Sequence, residues 1–107
     1  MEVVNMNKQR LLNMSYDLNI KLAYSDTEAH VVFKNFDDET LGIAFTHFSD
    51  YYEKGYDSIH IYDWHELEDA KQSFEAIKEV MAGERLLLFG QYHLDYPNQL
   101  ILQTTLF

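Results

Sequence analysis

The chain contains no cysteine. That excludes disulfides, thiolate nucleophiles and every zinc motif built on cysteine, and it suits a reducing compartment. Proline occurs once and glycine four times in 107 residues, all well separated, so no flexible linker is expected to divide the chain. There is no glycine-rich phosphate loop, no G-x-S-x-G elbow and no dinucleotide fingerprint. Purely apolar runs such as Leu86–Phe89 fall far short of what a bilayer requires. The opening MEVVNMNKQR has no apolar stretch behind its basic residues, so no secretory leader is expected there. Basic residues are scarce too: eight Lys and Arg stand against 18 Asp and Glu.

That imbalance is local. Between Asp26 and Asp69 there are 12 acids against Lys34 and Lys54, which accounts for the whole formal charge of −10. Such a surface repels phosphate backbones and anionic lipid, so direct binding of nucleic acid or membrane is not expected. It attracts basic partners, and it also serves plain solubility.

Length and an apolar content of 47% suit one globular domain, residues 1–107. Leu11, Met14 and Leu18 recur at helical spacing and predict a helix over Asn5–Asp17, with Asn5 as its cap. Short strand-like runs follow at Ile20–Tyr24, Ala29–Phe36, Leu41–Phe48 and Ser58–Tyr62, punctuated by Ser25-Asp26-Thr27 and Asp37-Asp38-Glu39. Trp64, Leu67, Ala70, Phe74, Ile77 and Met81 predict a helix from Trp64 to Met81 that ends at Gly83. Asp63 and Glu66 have the spacing of a capping box for it. Two further strands are read at Leu86–Tyr92 and Gln99–Leu106, joined by a turn at Tyr96-Pro97-Asn98. The expected order is α-β-β-β-β-α-β-β. This is an α+β domain: an antiparallel sheet of about five to six strands with two helices on one face.

The stretch from His47 to Glu66 holds the candidate chemistry, with three histidines, several acids and many aromatics. His60 and His65 are divided between a strand and the next helix, unlike the paired histidines of H-E-x-x-H, so no metal and no cofactor is expected. Asp37-Asp38-Glu39 and the Asp50/Glu53 pair are carboxylates in turn-like segments. Acid–base chemistry needs a carboxyl whose pKa burial raises, which such segments do not provide. Tyr51, Tyr52 and Tyr56 are interleaved with Asp50, Glu53 and Asp57. Tyrosine gives large contact area at low entropic cost, and carboxylates beside it suit lysine- and arginine-rich targets.

The leading expectation is therefore a cytoplasmic, non-enzymatic interaction module of the inhibitor or immunity type. Its six contact residues would be Asp50, Tyr51, Tyr52, Glu53, Tyr56 and Asp57. It would dock on a basic protein surface, such as that of a nuclease or another nucleic-acid enzyme, by presenting carboxylates where phosphates would go. The alternative is a structural or regulatory subunit whose acidity serves only solubility, and the third reading is a small carboxylate-dependent hydrolase. The closing "LILQTTLF" is β-prone, and as an edge strand it would favour weak self-association.

Overall fold

The structure, a computed structural model, describes residues 2–36 and 38–87. Its elements run α1 (Lys8–Ala23), β1 (Ala29–Asn35), β2 (Leu41–Phe48), β3 (Tyr56–Tyr62) and α2 (Leu67–Met81). The three strands form one antiparallel sheet in the order β1-β2-β3. Register is fixed by rows such as Phe33↔Ile43↔Ile61 and Val31↔Phe45↔Ile59. Those residues share one face, because side chains alternate along a strand. On that face Ile43, Phe45 and Ile61 are fully buried, in one core with Leu11 and Leu18 of α1 and Ala70, Ile77 and Val80 of α2. The domain is α+β, with both helices packed into the same side of the sheet.

Several boundaries differ from expectation. Helix α1 starts later than Asn5 because Asn7 is the cap, its side-chain oxygen accepting from the Arg10 N–H at 2.8 Å. It also continues through Ile20–Ala23, where a strand is expected. Leu22 lies four residues beyond Leu18 and packs against the same core, so one more turn buries apolar surface that a strand would have to place elsewhere.

Helix α2 begins at Leu67, not Trp64, and the capping box does not form. Its N-cap is Glu66, which makes no side-chain cap bond. The chain's own N-terminal segment does that work. Asn5 bridges Glu66, the Met6 N–H donates to His65 at 2.8 Å, and the Leu67 N–H donates to Val4 at 2.8 Å. An unpaired donor of the first turn is thus satisfied by backbone. Trp64 is left outside the helix and 62% exposed, in place of a core position.

The C-terminus of α2 follows the sequence. Gly83 sits at φ 78°, its N–H donates to Val80, and Glu84 donates to Glu79, a Schellman ending. The Met81 carbonyl accepts from the hydroxyls of Ser25 and Thr27 at 2.9 and 3.0 Å, which ties the end of α2 to the α1–β1 connection.

The sheet among the described residues has three strands, not five to six. Leu86 and Leu87 are not in a strand, and the rest of Leu86–Tyr92, with all of Gln99–Leu106, lies outside the described residues. The proposed self-association through "LILQTTLF" falls there as well.

Candidate functional site

The six contact candidates lie where β2 passes into β3. The connecting turn is closed by its own backbone: Ser49 N–H donates to Gly55 at 3.0 Å, and Gly55 N–H donates to Tyr52 at 2.9 Å. Gly55 adopts φ 85°, a conformation that costs a side-chain-bearing residue about 1 kcal/mol or more. The Ser49 hydroxyl accepts from the Tyr51 N–H at 3.1 Å, which shapes the start of the turn.

The structure divides the candidates. Asp50 and Glu53 are exposed, and Tyr51 between them is 72% exposed. Tyr56 opens β3 on the outer face of the sheet, tilted against Phe48 at 6.4 Å, with the Lys54 ammonium 5.4 Å from its ring centroid. Asp57 is half-buried on the inner face, opposite His47 in the register, and accepts from the Ser58 N–H at 2.9 Å. Tyr52 is only 6% exposed and belongs to the core. The turn therefore presents four of the six outward.

Tyr52 holds the turn from below. Its hydroxyl lies 2.8 Å from His47 Nδ1 and accepts from the Leu87 N–H at 2.7 Å. A neutral imidazole with its proton on Nε2 satisfies this arrangement, because the phenol hydrogen is then directed at Nδ1. The Phe45 ring stacks on His47 at 6.5 Å. Burial pushes the His47 pKa below its ordinary value, and the charge of Glu28 opposes that shift.

The second half of the aromatic-rich stretch goes elsewhere. Outer-face residues His60 and Tyr62 stack at 5.7 Å, and Tyr62 stacks on Trp64 at 5.3 Å. Tyr62, at the far end of β3, lies six positions from Tyr56, about 20 Å at the strand rise. His65 turns back to accept the Tyr62 N–H at its Nδ1, 3.0 Å away. Among the described residues no three His, Asp or Glu side chains are grouped as metal ligands would be. Nor is any helix there long and apolar enough to cross a membrane.

Near Tyr62 the hairpin between β1 and β2 adds Phe36, Asp38 and Thr40. The sequence points to Asp38 only as one of the turn carboxylates Asp37-Asp38-Glu39, and it assigns Phe36 and Thr40 to no site. The one local signal is Gly42, a glycine inside a strand, which marks a close approach to the backbone. A Cβ there would meet Tyr62 at 3.0 Å and Phe36 at 3.1 Å.

No protein-family model, no curated protein and no solved structure matches this chain.

Proposed function

We propose that the chain is a non-enzymatic interaction module that docks on a basic protein surface through the β2–β3 turn. The observation that carries this is the pairing of two exposed acids, Asp50 and Glu53, with the exposed ring of Tyr51 on a closed turn. A turn already fixed by its own hydrogen bonds loses little entropy on binding. Its acids belong to the segment that carries all of the formal charge of −10, which draws in a basic partner from a distance. Tyr56 extends the patch onto the sheet. Tyr52 supports it from the core without offering contact area.

The partner class that fits is a protein with a cationic, phosphate-binding surface, which makes inhibition of a nucleic-acid enzyme the natural outcome. A carboxylate-dependent hydrolase is less well supported. Asp38, in the most acidic turn, has its carboxyl held below the usual range by the hydroxyl and N–H of Thr40, the opposite of what a general acid needs.

Affinity capture tests this reading when the wild-type chain and an Asp50→Lys, Glu53→Lys chain are run side by side. A basic protein retained by the first and lost from the second is the expected result. Identical sets of captured proteins would remove the turn as the contact.

A further inference from the structure

The cleft at the opposite end of the sheet has a chemistry of its own. Phe36, Asp38, Thr40, Tyr62 and Trp64 line an open depression of about 550 Å³. The Tyr62 and Trp64 rings are parallel to within 7°, and Phe36 tilts by 59° against Tyr62 with centroids 5.7 Å apart. Tyr62 and Phe36 both rest on the Gly42 backbone, where even a methyl group would crowd them. The rings are therefore seated on the sheet. Asp38 stands at the rim as an exposed carboxylate, held in place by Thr40, whose N–H donates to it at 3.0 Å.

Aromatic faces beside a carboxylate attract an organic cation, the faces through the ring quadrupole and the carboxylate through charge-assisted hydrogen bonds. The chain itself supplies a second observation. Lys34, across the register from Gly42, places its ammonium 4.8 Å from the Phe36 centroid, so a cation already stands against one wall. The Trp64 side, 62% exposed, remains open to a visitor. We propose that this cleft receives an arginine side chain presented by another protein or peptide.

Guanidinium fits better than ammonium for three reasons. It is planar and stacks on rings such as Trp64, it is less strongly hydrated than ammonium, and its donors match a carboxylate. No arginine of this chain is available for the role. Arg10 reaches the Asn5 carbonyl and Arg85 reaches Glu79 and Leu86, and residues 88–107 contain no arginine at all. The inference does not depend on the β2–β3 turn, because its probe is a single amino-acid derivative too small to span the sheet.

Trp64 is the only tryptophan, so its emission reports on the cleft directly. The full chain is titrated with acetyl-arginine amide, with acetyl-citrulline amide as the neutral isostere, and with tetramethylammonium chloride, all at constant ionic strength. The expected result is a saturable change with the arginine derivative, with a dissociation constant on the order of millimolar. Citrulline and tetramethylammonium should bind about tenfold more weakly, since each lacks either the charge or the donors. Asp38→Asn keeps an acceptor for the Thr40 N–H but removes the charge and turns the second oxygen into a donor, and it should weaken arginine about tenfold. Tyr62→Leu, with Trp64 intact, should abolish saturation. Circular dichroism establishes that both variants are folded. Equal response to arginine and citrulline, equal binding of tetramethylammonium, or unchanged binding by Asp38→Asn would each overturn the proposal.

Discussion

The Tyr52 hydroxyl lies 2.8 Å from His47 Nδ1, and the same oxygen takes the Leu87 N–H at 2.7 Å. Two buried polar groups from different parts of the chain thus converge on one phenol oxygen. Tyr52→Phe keeps the ring and removes that oxygen. Losing a buried partner of this kind costs about 1–3 kcal/mol. Urea unfolding should show the midpoint falling with the slope unchanged, and a midpoint equal to wild type would mean that the two bonds contribute nothing net.

The same pair sets a pH dependence. His47 is held below its ordinary value, so between that value, near 6.5, and its lowered folded value the unfolded chain binds a proton that the folded chain refuses. Stability from this group is complete above about pH 6.5 and is lost as pH falls through that window. Unfolding midpoints measured from pH 8 to pH 5 should decline below about pH 6.5, and in a His47→Gln chain this part of the decline should vanish. Equal slopes in the two chains would assign the proton uptake to other groups.

Gly42 provides a steric test of the aromatic cluster. Its φ is not in the left-handed region, so a substituent meets the rings of Tyr62 and Phe36 and no backbone strain. Gly42→Val should destabilise by about 1–3 kcal/mol through overpacking and should alter the near-ultraviolet circular dichroism as the rings shift. Valine is the better strand former, so a stabilised variant would show that the rings yield freely.

The helix starts offer a contrast. Asn7→Ala removes a side-chain cap and should cost about 1 kcal/mol. Asp63→Ala should change stability by less than about 0.5 kcal/mol, because α2 begins four residues later and the Asp63 bond to Leu41 is made by backbone. Thermal or urea unfolding of both variants separates the two cases, and an equal loss would restore a capping role to Asp63.

For the β2–β3 turn, Asp50→Lys with Glu53→Lys should leave the unfolding midpoint within about 0.5 kcal/mol of wild type, since both acids are exposed. With the captured partner in hand, association should slow, and added salt should slow wild type more than the variant. Tyr51→Ala should act mainly on dissociation, because it removes contact area and not charge. Kinetics at two salt concentrations decide the matter. Wild-type rates in the double variant would exclude electrostatic docking at this turn.

Local patterns made much of the fold legible. The stripe of Leu67, Ala70, Phe74, Ile77 and Met81 and the stop at Gly83 both appear in α2. Alternation in Leu41–Phe48 gives β2 to the residue, and the acidic turn before it is where β1 reverses. What was not legible depends on distant chain. Ile20–Tyr24 alternates over too few residues to distinguish a strand from a last helical turn, and burial of Leu22 against the core decides for helix.

The site was half legible for the same reason. Tyr51 and Tyr52 are neighbours with the same side chain, yet one is exposed and the other sits over His47 beneath Leu87. Nothing within a few residues distinguishes them. Trp64 fits the helical stripe on paper, but the start of α2 is set by Val4 and Asn5, and the ring then joins Tyr62. The charge pattern gave the acids of the turn. It did not give the aromatic cleft, which the β1–β2 hairpin and β3 assemble from separate places.

The pairing of Val4–Met6 with His65–Leu67 also bears on the order of folding. The hairpins β1–β2 and β2–β3 join sequence neighbours and close short loops, whereas the first donor of α2 waits for an acceptor at the far end of the chain. Pairing at Val4–Met6 thus closes a longer loop than either hairpin does. Without Val4 and Asn5 the first turn of α2 would lose the backbone acceptor that now takes its Leu67 N–H, and the helix would begin frayed.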